Sequence, residues 1–166
     1  MMYCERSIDN SSGLRVLLIR RMFLQLCLYM EVIVEKAMDE INQSSWFECS
    51  LHNIEIDFDR IVVVVSLHEK ISREICCYDY IGFSYIGHWD ESIIESITVD
   101  TKGIMIDESL QVVKNLNGED PLPGGGDKRI TDNWYQLSIK LIDGVIIRVA
   151  CKSFEVTTSD HSRISQ

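Results

Sequence analysis

Proline is nearly absent from this chain: Pro121 and Pro123 are the only two in 166 residues. With 46% hydrophobic and 25% charged residues beside them, that scarcity argues against a proline-rich or disordered polymer and for a globular chain. Positive charge is also short. Sixteen Lys and Arg face 26 Asp and Glu, a formal charge of -10. That is the wrong sign for a protein whose partner is a phosphate backbone, so direct nucleic-acid binding is not expected. The same excess suits a partner that is itself basic, because complementary fields speed encounter and reject wrong partners.

Further absences narrow the chemistry. The six cysteines (Cys4, Cys27, Cys49, Cys76, Cys77 and Cys151) lack the spacing of a zinc site, and adjacent Cys76 and Cys77 point to opposite faces if they lie on a strand. They read as small apolar residues of a reducing cytoplasm rather than as a disulfide framework. No G-x-S-x-G elbow occurs, and Gly124-Gly125-Gly126-Asp127-Lys128 lacks the spacing and the Ser/Thr of a phosphate-binding loop. No catalytic residue, cofactor or metal is expected. Long apolar runs are missing too. Leu14 to Val34 is broken by Arg20 and Arg21, and Met22 to Met30 is too short to span a bilayer and precedes no small-residue cleavage site. The expectation is a cytoplasmic protein without a membrane partner.

At 166 residues the length suits one domain. Residues before Met30 are poorly patterned, whereas Met30 opens a clean amphipathic segment. The expected division is an extension over 1–29 that need not belong to the native product, a single domain over 30–157, and a frayed tail over 158–166. From Glu31 to Gln43 the apolar residues Ile33, Val34, Ala37, Met38 and Ile41 recur at helical spacing, with charged residues between them. Trp46 and Phe47 are expected to turn back onto the core.

Strand signals dominate the remainder. Asn53 to Asp59 alternates strictly, predicting Ile54, Ile56 and Phe58 on a buried face and an acidic outer face. Ile61 to Val65 is apolar without alternation, predicting a central strand covered on both sides. Glu74 to Ile81 reads as a third strand. Ile97 to Val99 and Ile104 to Ile106 flank Asp100-Thr101-Lys102-Gly103, predicting a hairpin. Tyr135 to Leu141 and Val145 to Cys151 alternate on either side of Asp143-Gly144, the clearest hairpin in the chain. Ser109 to Leu116 suggests a helical turn or two, and Asn117 to Asp132 a long loop. The fold class predicted is α+β: an N-terminal amphipathic helix packed on a mainly antiparallel β-sheet built from hairpins.

Candidate site residues are chosen for recognition. Glu55, Asp57 and Asp59 on the first strand, with Asp107, Glu108, Glu119 and Asp120 around the later loops, are expected to form an anionic surface. Trp89 and Trp134 are candidate interface anchors, and Asp90 lies beside the first of them. An alternative is a small enzyme or ligand-binding domain using His88 and Asp90 in a pocket under the 117–132 loop. Another is a subunit that assembles through an exposed strand edge.

Ser50-Leu51-His52-Asn53-x-Glu55-Ile56, a hairpin, an aromatic strand, Gly87-His88-Trp89-Asp90-Glu91-Ser92-Ile93-Ile94 and a final Phe154-Glu155-Val156 make up a recognisable order. From Met30 to Val156 this order resembles small bacterial immunity proteins that accompany polymorphic or contact-dependent toxins. The resemblance implies a cytoplasmic antitoxin without enzymatic activity. It would bind a cognate toxin domain, often a basic nuclease, and occlude its active cleft.

Overall fold

The computed structural model describes residues 11–68, 71–87, 92–117 and 133–160. In chain order the elements are α1 (Ser11–Gln43), β1 (Ser50–Ile56), β2 (Arg60–His68), β3 (Ile71–Tyr78), β4 (Gly82–Ile86), β5 (Ile94–Asp100), α2 (Ile104–Asn117), β6 (Tyr135–Leu141), β7 (Ile146–Cys151) and β8 (Ser153–Asp160). The class is α+β, with two antiparallel sheets where one was expected: β1-β2-β3-β8 and β4-β7-β6-β5.

Two short segments cause the split. After β3, Asp79 adopts a left-handed φ of 50°, which aspartate tolerates better than most residues. The chain then leaves the first sheet, and Ile81 N donates to Ala150 O (2.8 Å) at the start of the second. Lys152, the single residue between β7 and β8, carries the chain back, its amide donating to Tyr78 O (3.1 Å). Strand β3 therefore occupies Ile71–Tyr78 rather than Glu74 to Ile81, and β8 stays paired with β3 through Asp160, past Thr157.

Ile61, Val63, Val65, Ile75, Cys77 and Phe154 of the first sheet share one core with Ile97, Val99, Leu137, Ile139, Ile147 and Val149 of the second. Burying each such side chain stabilises the fold by about 1.5–3 kcal/mol. The apolar run of β2 is central in its sheet but not doubly covered. Ile61, Val63 and Val65 are buried, while Val62 and Val64 are half-buried on the outer face. As alternation requires, Cys77 points inward and Cys76 outward.

Strand β1 keeps the expected alternation over residues 53–56, with Ile54 and Ile56 opposite the buried Val63 and Ile61. A bulge between Leu51 and Asn53 shifts its register, and the strand ends at Ile56. Asp57 Oδ1 accepts from the Phe58 amide (2.7 Å) within the turn to β2. Leu51 is buried and Ile54 half-buried, but Ile56 at the inward end of the strand is 55% exposed and Phe58, beyond the strand, 97% exposed, so neither is buried as expected.

The expected hairpin after β5 is instead a turn into helix α2. Ile106 and Ser109 are buried and Met105, Leu110 and Val113 half-buried, a three-to-four spacing that a run as short as Ile104-Met105-Ile106 cannot reveal by itself. Gln136 Oε1 accepts from the Met105 amide (2.9 Å), satisfying one of the orphan donors at the helix start. Helix α2 lies on the outer face of the second sheet, against β4, β6 and β7. Gly82 permits this approach: a Cβ there would stand 2.0 Å from Ser109 Oγ.

The hairpin β6–β7 forms where expected, with Tyr135 opposite Cys151, Leu137 opposite Val149 and Ile139 opposite Ile147. Helix α1 lies against β5 and β8. Val34, Ala37 and Ile41 are buried, and the Asn42 side-chain amide exchanges two hydrogen bonds with the Val99 backbone (2.8 and 3.0 Å). Arg21, Met22, Gln25 and Tyr29 are exposed. Trp46 is buried, its Nε1 donating to Ile41 O (2.8 Å), whereas Phe47 is exposed rather than turned inward. Among the described residues, no helix is long and apolar enough to cross a membrane.

Candidate recognition surface

The two sheets differ in what lies on their outer faces. That of the second carries α2, while that of the first has exposed polar and acidic residues along β1 and β8, with Val62, Val64 and Glu74 half-buried and Ser72 and Cys76 buried on the central strands β2 and β3. Pairing places its side chains in cross-strand rows. Glu55, Val62, Cys76 and Glu155 form one row, and Asn53, Val64, Glu74 and Thr157 the next. A third contains Ser50, Ser66, Ser72 and Ser159. Adjacent strands lie about 4.8 Å apart, so Glu55 and Glu155 are separated by roughly 14 Å across the sheet, with Glu74 between them one row away. Glu55 and Glu155 are exposed and Glu74 half-buried. Arg60, on the same side at the β2 end of the turn, is exposed.

The titrating groups of this face register its negative field. The Cys76 thiol is raised above its usual value, first by burial and then by the charges of Glu155 and Glu74, against a lowering hydrogen bond from Tyr78. The Tyr78 hydroxyl donates to Glu155, and its phenol is pushed well above the ordinary tyrosine value by that bond first, then by burial and by the Glu155 charge. Asn53 Nδ2 donates to Glu55 Oε1 (3.0 Å). The carboxylates are thus partly positioned by neighbours while their charge stays displayed.

At one end of the molecule, where both sheets meet, the β1–β2 turn, the β3–β4 crossover, Trp134 and Lys152 enclose an open cleft of about 340 Å³. Phe58, Asp59, Asp79, Tyr80 and Ile81 complete its lining.

The sequence candidates are divided by this geometry. Glu55 lies on the acidic face, Asp57 and Asp59 in the turn beside the cleft, and Trp134 in the cleft wall. Asp107, in the first turn of α2, and Glu108 beside it are exposed on the other sheet's side of the molecule and do not join the others. Trp89, Asp90, Glu119 and Asp120, together with His88 and most of the 117–132 loop, lie outside the described residues. Glu74 and Glu155 were missed, although the alternation Ser72, Glu74, Cys76, Tyr78 and the run Ser153, Glu155, Thr157 carry the signal. Among the described residues, no three or more His, Cys, Asp or Glu side chains are grouped to hold a metal ion.

Compared with known proteins, the chain matches no family model, no curated protein and no solved structure.

Proposed function

We propose that this protein is a non-enzymatic, cytoplasmic immunity protein that binds a cognate toxin domain, a basic nuclease in the form best suited to its charge, and occludes the toxin's active site. The observation that carries the reading is the acidic outer face of the first sheet, with Glu55, Glu74 and Glu155 displayed on paired strands of a chain with formal charge -10. A nuclease cleft is basic because its substrate is a polyanion, and a rigid array of carboxylates competes for the same field. The resemblance in sequence pattern to immunity proteins points to the same reading. In this reading the amphipathic helix around Glu31–Gln43 is scaffold, packed on the sheets and leaving the acidic face to the partner.

The test is co-expression with the candidate toxin domain that the proposal requires. Cells carrying both are expected to grow, and the two purified proteins to co-elute as a complex. Unrelieved toxicity together with separate elution contradicts the proposal.

A further inference from the structure

We infer that the cleft where the two sheets meet receives a cationic side chain, a guanidinium or ammonium group, presented by the partner protein. This rests on the reading of the molecule as a binder of a basic protein and adds the anchor that such a protein would insert. Phe58 occupies the tip of a turn at 97% exposure, a placement that contributes nothing to the core. Beside it, Tyr80 and Trp134 supply two further aromatic surfaces, and Asp59 and Asp79 two carboxylates. Lys152 also lines the cleft, so the lining keeps an excess of one negative charge.

The walls are already fixed. Asp79 N donates to Asp59 O (2.8 Å), Lys152 N to Tyr78 O (3.1 Å), and the Tyr80 hydroxyl to Asp57 O (3.1 Å). A volume of about 340 Å³ falls within the range of small-ligand sites. Aromatic faces attract a cation through their quadrupoles, and carboxylates bind it by charge-assisted hydrogen bonds, so the two together select a cation over an anion or a plain hydrocarbon. Among the described residues the buried Trp134 Nε1–H has no acceptor.

The experiment titrates the full-length, ¹⁵N-labelled protein with arginine amide and, separately, with citrulline amide, its uncharged near-isostere. The indole signal of Trp134, assigned by its loss in Trp134→Phe, is expected to shift saturably with arginine amide and not with citrulline amide. In Asp59→Asn/Asp79→Asn, whose asparagine tolerates the left-handed φ of position 79, arginine-amide affinity is expected to fall at least about fivefold. Absence of a saturable shift, an equal response to citrulline amide, or undiminished affinity in the double variant overturns the inference. The comparison of the two amides on the unaltered protein stands even if the variant fails to fold. Because the readout needs no toxin, failure here with cell protection intact rejects the anchor alone, and cation binding without protection rejects the immunity reading alone.

Discussion

Gly82 and Ser109 show how one missing methyl group sets the distance between a helix and a sheet. A Cβ on Gly82 would lie 2.0 Å from Ser109 Oγ and 2.9 Å from Met105 Cε. Gly82→Ala is therefore expected to destabilise the protein by about 1–3 kcal/mol, the usual cost of overpacking. Ser109 Oγ is itself buried without a hydrogen-bond partner among the described residues, so Ser109→Ala is expected to be close to neutral and to reduce the cost of Gly82→Ala. Thermal unfolding of the two single variants and the double variant checks this; equal costs in both backgrounds would contradict it. Tyr78 provides a pH-dependent counterpart. Its phenol is raised in the folded state, so the stability it contributes is fully present below the ordinary tyrosine value of about 10 and is lost as pH rises through the folded value. The stability difference between wild type and Tyr78→Phe is expected to be flat from roughly pH 7 to 9 and to narrow above about pH 10. A difference that stays constant into strong alkali would show that the Glu155 bond does not hold the phenol.

Elements were legible in proportion to how local their determinants are. The β6–β7 hairpin could be read because Asp143-Gly144 imposes its own geometry: Gly144 takes a φ of 89°, and Asp143 Oδ1 accepts from the Val145 amide (2.9 Å). Gly144→Ala meets no neighbour within 4 Å, so its expected cost of about 1–2 kcal/mol is backbone strain alone. Chemical denaturation measures it, and a neutral substitution would contradict the turn assignment. Helix α2 was misread at its start because Ile-Met-Ile satisfies a strand pattern as well as a helical one, and the partner that decides is Gln136, more than thirty residues away. The bulge at β1 was invisible for a related reason, since its pattern keeps alternating while its register against β2 shifts. The split into two sheets depends on Asp79 and Lys152, single residues with no marked sequence signal. The acidic surface inherits these limits. Glu55 was found from its own strand, but joining it to Glu74 and Glu155 requires the order β1-β2-β3-β8, which alternation does not encode.

Taken whole, the molecule is asymmetric. One sheet has a helix on its outer face, and the other presents ordered carboxylates with an aromatic cleft at one end. Asp107 and Glu108 supply comparable charge on the α2 side and so form a built-in control. The most direct measurement compares the affinity of three proteins for the toxin domain that the proposed function requires as partner: wild type, Glu55→Gln/Glu74→Gln/Glu155→Gln, and Asp107→Gln/Glu108→Gln. The triple variant is expected to bind at least about tenfold more weakly, chiefly through slower association, and the α2 variant to bind like wild type. Undiminished binding by the triple variant, or loss confined to the α2 variant, would contradict the assignment of the first sheet's outer face as the recognition surface.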